Sequence, residues 1–154
     1  MGVVLAVKDE PELHTMKRVA QVSVDVFTKY LRDQVMDIVD SDKKVRHQKL
    51  AEGVEAAVTD KKYVSGVDAS QVDMCYPPII QSGGHYNLRF SAQTDKNMLH
   101  FGAIVCCLGA RYKNYCSNIV RTLLVNPTDK MQVSGVNGYM QLLETFVAKR
   151  PGRV

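Results

Sequence analysis

The chain has 154 residues, of which 45% are hydrophobic and 23% charged, with a formal charge of +4 and a pI near 8.9. These are the proportions of a single globular domain. The longest apolar stretch, Phe101 to Ala110, contains Gly102 and Gly109 and is far shorter than the ~20 residues a bilayer-spanning helix needs, so no membrane-spanning helix is expected. The basic excess is too small to argue for sequence-specific nucleic-acid binding. Lys43, Lys44, Arg46, Lys49, Lys61 and Lys62 alternate with Asp42, Glu52, Glu55 and Asp60, the pattern of a solvated helix face.

Residues 1–8 read as an extended lead-in. Gly2 to Val7 has no basic lead of the kind a signal peptide carries, and Ala6 stands where a myristoylation signal wants Ser or Thr. Asp9-Glu10-Pro11-Glu12 then has the proline and the acidic first turn of a helix start. Leu13, Met16, Ala20, Val24, Phe27 and Leu31 recur at steps of three and four and predict one buried stripe, continued by Val35, Ile38 and Val39. Asp40-Ser41-Asp42 offers a break and a new cap, and a second helix runs to about Thr59 with Leu50, Val54, Ala57 and Val58 inward.

Residues 61–72 are polar, contain Gly66 and read as a loop. Met74 to Ile80 is held extended by Pro77 and Pro78, and Ser82-Gly83-Gly84 forms a turn. Leu99 to Leu108 reads as a buried strand, Gly109-Ala110 as its turn, Arg111 to Tyr115 as the returning strand and Ile119 to Val125 as the next. A helix is expected over 128–150. Helices, then strands, then a helix predict an α+β fold, with long N-terminal helices packed on an antiparallel strand meander. The chain reads as a single partial domain: lead-in at 1–8, helices over 9–60, strands and hairpin over 73–126, and the final helix.

Cys75, Cys106, Cys107 and Cys116 lack the paired spacings of a zinc site and read as buried free thiols. Cys106 and Cys107, adjacent on a strand, face opposite sides of it. His14 and His47 on the two helices read as exposed or capping groups and His100 as half-buried. No pair has the spacing of a helical zinc site.

Two resemblances add to this reading. The stretch from Gly102 to Thr122 resembles the strand-hairpin-strand signature of the creatinase and aminopeptidase P family, with Gly109, Tyr112, Tyr115, Arg121 and Thr122 on the pattern. The two metal-binding aspartates of active members fall on Cys107 and Asn118, and Asn114 replaces the family's glycine. Independently of any family, a thiol and a neutral amide are poor ligands for two hard divalent cations. The remaining His and Glu ligands of the family belong to the second half of the domain, and the match covers the first half only.

A narrower resemblance, carried above all by Cys75-Tyr-Pro-Pro-Ile-Ile-Gln-Ser-Gly-Gly84 and supported by Lys44 to Ala51, Asp95-Lys-Asn97 and His100-Phe-Gly102, is to the peptidase-like domain of the large subunit of the FACT histone chaperone. It implies a partial pita-bread fold and no cofactor or metal. The function implied is a non-catalytic histone-binding module that acts in nucleosome reorganisation during transcription, replication and repair. The implied partners are core histones or their tails and an HMG-box companion subunit, in the nucleus on chromatin. A metal-dependent Xaa-Pro or methionine aminopeptidase of the same fold is the alternative. Ser82, Gly83, His85, Tyr112, Tyr115 and Arg121 are the candidate lining of a peptide-binding cleft, although an aromatic on a hairpin is also an ordinary packing residue. His85 does not fall on the position of the family's substrate histidine.

Overall fold

A computed structural model describes residues 7–87, 89 and 91–125. Helix α1 spans Glu10–Val26, a π-helical turn Phe27–Leu31 follows, and α2 runs Arg32–Asp40. Helix α3 spans His47–Val58. Four strands come next: β1 Val72–Met74, β2 Ile79–Ser82, β3 Ala103–Tyr112 and β4 Tyr115–Leu124. The expected helix over 128–150 lies outside the described residues, as does most of the lead-in.

The start of α1 is fixed by a reciprocal capping box. The Glu12 amide donates to Asp9 Oδ1 at 2.8 Å, and the Asp9 amide donates to Glu12 Oε2 at 2.9 Å. By contrast α3 begins at His47 rather than at Asp40–Asp42, behind Arg46, which makes no side-chain cap. The β-bridge of Arg46 with Met98 and the bond from the His47 amide to Asn97 O at 3.0 Å hold that helix start instead.

The predicted stripe on the first helix is correct at its C-terminal end and displaced before it. Phe27, Leu31, Val35 and Ile38 are buried, but Leu13 and Met16 are each 37% exposed, Val24 is 41% exposed and Ala20 is exposed. The buried face of α1 is Val19, Val22, Ser23 and Val26. The π turn supplies the physical reason. It places one extra residue in the turn, so the face carried by Leu31 continues N-terminally at Val26 and Val22, not at Val24 and Ala20.

Strand β3 is the centre of the sheet. It pairs antiparallel with β4 along one side and, on the other, with β2 at Ile104–Cys107 and β1 at Ala110–Tyr112. The hairpin turns at Lys113 and Asn114 (φ 48° and 68°), the two left-handed residues of a tight two-residue hairpin, and not at the expected Gly109-Ala110. Gly109 lies inside the strand opposite Asn118. Residues on a strand alternate between faces. Ile104, Cys106, Leu108, Ala110 and Tyr112 face the helices together with Ile80 and Val72, and they form one core with Val19, Val22, Leu50, Val54 and Val58. Odd-numbered β3 residues and even-numbered β4 residues form the other face.

Candidate functional site

The alternation and register place Cys107 and Asn118 on the face away from the helices. Cys107 pairs with Val120, and Asn118 pairs with Gly109, so the two are diagonal neighbours across the strand pair. Tyr76, carried past the end of β1, lies against this face. A Cβ on Gly109 would stand 2.8 Å from Tyr76 Cε1 and 3.1 Å from Ser117 O, so a side chain there would displace the ring. The Tyr76 hydroxyl lies 3.0 Å from Cys107 Sγ. Burial, and next the neighbouring Cys107 thiol, push the Tyr76 phenol well above its usual range. Beside it a cavity of about 460 Å³ is lined by Cys75, Tyr76, Cys116, Ser117 and Asn118.

The donors at the family's metal positions do not fit a pair of hard divalent cations. One is a buried thiol already in contact with a phenol, and the other is a neutral amide. What the face offers is apolar and hydrogen-bonding surface, with Val120 47% and Leu124 42% exposed on its outer strand.

The other candidate cleft residues do not gather there. Tyr112 is buried in the core between sheet and helices, and the Tyr115 hydroxyl donates to Glu12 Oε1 at 2.5 Å, tying β4 to the start of α1. That bond first, with the Asp9 amide, holds the Glu12 carboxyl below its ordinary value. Arg121 stands opposite Cys106, on the helix side, and stays exposed with Nη1 donating to Val120 O. Gly83 (φ 87°) packs against the His100 ring, and His85 is exposed in the same loop.

Ser82 belongs to a network that the sequence reading missed. His47, expected to be an exposed or capping group, is 1% exposed. Its Nδ1 is 2.6 Å from Asp95 Oδ1 and its Nε2 is 2.7 Å from Ser82 Oγ. A carboxylate only accepts, so in the neutral ring Nδ1 carries the proton and Nε2 accepts the Ser82 hydroxyl. The hydrogen bond from His47, with further donors from Asn97, holds Asp95 below the usual carboxylate range. Ser82 Oγ also accepts the His100 amide at 2.8 Å. The order resembles a Ser-His-Asp triad, but here the three side chains, with the His100 amide, join α3, β2 and the 95–100 loop. The only sequence cue was the recurrence of these residues within the resembling motifs.

The fold and these motifs define the class. The pattern of Metallopeptidase family M24 matches residues 14–148, and the chain belongs to that family. Within it, the chain is 42% identical over 132 residues to the FACT complex subunit SPT16 of Yarrowia lipolytica, covering 80% of this chain and 13% of that protein. Among solved structures it is similar to the N-terminal domain of FACT complex subunit SPT16 from Cicer arietinum, with TM-score 0.76 and 37% identity over 80% of this chain and 30% of that one. An X-Pro aminopeptidase from Thermotoga maritima, with TM-score 0.59 and 24% identity over 82% of this chain and 32% of that one, shares the fold alone. The chain therefore spans about one eighth of the curated relative and about a third of the solved domains. The pita-bread, α+β expectation holds in its first half.

Proposed function

We propose that the chain is part of a non-catalytic, histone-binding module of a FACT-type histone chaperone, acting in nucleosome reorganisation during transcription, replication and repair. The observation that carries this reading is the 42% identity to a FACT subunit along 80% of the chain. The thiol and amide at positions 107 and 118 support it, because the same fold with carboxylates there would support peptidase chemistry. Core histones or their tails are the proposed ligands, an HMG-box subunit the proposed companion, and chromatin in the nucleus the proposed setting. A chain of charge +4 gains nothing electrostatically from basic histones, so recognition is assigned to shape, apolar contact and hydrogen bonding on the face around Tyr76, Asn118 and Val120. On this reading the sheet face survives as a docking surface after the loss of its metals.

A metal-dependent Xaa-Pro or methionine aminopeptidase is the competing reading. Metal analysis of the purified protein, followed by a proline-dipeptide assay with added manganese or cobalt, separates the two. The binding-module reading expects no stoichiometric metal and no turnover. Stoichiometric metal with turnover overturns it.

A further inference from the structure

Lys44 and Arg46 stand ahead of α3, which begins at His47, so they belong to the segment between α2 and α3 and not to a helix face. That segment runs antiparallel to the 95–100 loop. The His47 amide donates to Asn97 O at 3.0 Å and the Leu99 amide to Val45 O at 2.8 Å, on either side of the Arg46–Met98 bridge. A pair flanked by such bonds but exchanging none itself is the closely spaced kind, so Arg46 and Met98 stand side by side on one face. Alternation turns Val45, His47 and Leu99 inward and leaves Lys44, Arg46 and Met98 in solvent, Met98 at 41% exposure. Arg46 Nη1 donates to Lys96 O at 3.5 Å, so Lys96, also exposed, joins the same strip. Among the described residues, none of these three cations forms an ion pair. Asp95, the acid of the loop, is taken up by His47 and by two donors from Asn97. Asp42, two residues before Lys44, pairs with none of them.

We propose that this strip is a docking surface for an acidic segment of a partner protein, with carboxylates over Lys44, Arg46 and Lys96 and an apolar side chain seated on Met98. The charge sets the sign of the ligand, and that sign is opposite to a basic histone tail's, so the strip takes a partner other than the histones. A guanidinium meets a carboxylate in two parallel hydrogen bonds, which gives Arg46 the orienting role and the two lysines the supporting charge. A phosphate backbone would use the same cations but leave Met98 without a contact. An unbranched thioether instead moulds itself to the apolar side chain of a peptide. None of these residues lines the cavity beside Tyr76, so the two surfaces can be perturbed separately.

Fluorescence anisotropy of the whole chain with a labelled peptide of Glu and Asp residues around one central Leu tests this. Saturable binding is expected, weakened at least roughly tenfold in K44Q/R46Q/K96Q by the loss of three exposed charge pairs. Raising the salt from about 0.1 M to about 1 M, where charges are screened within about 3 Å, should weaken it comparably. All three positions are exposed, so the variant should keep the wild-type melting temperature. A peptide with Ser in place of its Leu should bind the wild type several-fold less tightly, and Met98→Ser should abolish that preference. No histone enters the measurement, so its outcome is independent of the proposed histone binding. No saturable binding, equal affinity of the wild type and the triple variant, indifference to the central Leu, or a DNA duplex bound in preference to the peptide would overturn the proposal.

Discussion

The Tyr76 hydroxyl sits 3.0 Å from the Cys107 thiol, and the Tyr76 ring fills the space over Gly109 where any side chain would collide with it. These two contacts make the absent Cβ of Gly109 a requirement of the outer face. Gly109→Ala is expected to cost about 1–3 kcal/mol by overpacking, because backbone Ser117 O on the other side cannot yield as a side-chain tip can. It should also expose Cys107. Urea denaturation together with the alkylation rate of Cys107 checks both parts, and unchanged values would show that Tyr76 does not cover this thiol.

Removing His47 should be among the most damaging single changes in the helical layer. His47→Ala leaves a buried site without its ring and deprives Asp95 and Ser82 of their partner. The expected loss is about 2–4 kcal/mol. Ser82→Ala removes a hydroxyl that donates to His47 and accepts the His100 amide, and should cost roughly half as much. A serine-directed phosphonate should label neither the wild type nor His47→Ala.

Asp25 gives the chain a defined acid sensitivity. Burial raises its carboxyl, but hydrogen bonds from Ser65, Gln21 and Lys29 outweigh that and leave it below its ordinary value, with Lys29 Nζ at 3.1 Å. A carboxyl lowered in the folded state contributes stability that is present above its unfolded value, near pH 4, and is lost as pH falls through the folded one. Melting temperatures of wild type and Asp25→Asn should therefore differ at pH 6 and converge as pH drops below about 4. A constant gap across that range would contradict the assignment.

The hairpin turn offers a change in the opposite direction. Lys113 and Asn114 hold positive φ at a two-residue turn for which Asn-Gly is the favoured pair. K113N/N114G is expected to stabilise the chain by about 0.5–1 kcal/mol, read as a higher urea midpoint at unchanged slope.

Periodicity identified the helices and the strand region but not their phase. The Leu13–Met16–Ala20–Val24 stripe is a real apolar pattern that the π turn rotates out of the core, and nothing in residues 27–31 announces a π turn. In the hairpin, Gly109-Ala110 has the composition of a turn. Lys113-Asn114 is a weaker signal that prevails because only it lets all ten residues of each strand pair. At the site, alternation alone separates Cys106 from Cys107 correctly. It also places Tyr112 and Tyr115 on the helix side once the turn is set, a side that their match to the family's strand-hairpin-strand signature did not indicate. His47 was misread because burial of a polar ring depends on Ser82 and Asp95, residues remote in sequence.

On the proposed function, the sheet face bearing Cys107 and Asn118 binds histones without catalysis. Calorimetric titration of core histones into the wild-type chain and into V120E/L124E, which charges the two exposed apolar positions of that face, tests it most directly. Saturable binding by the wild type and at least roughly tenfold weaker binding by the variant are expected, a difference of about 1.4 kcal/mol. Equal affinity of the two chains, or no binding by a folded wild type, would contradict it.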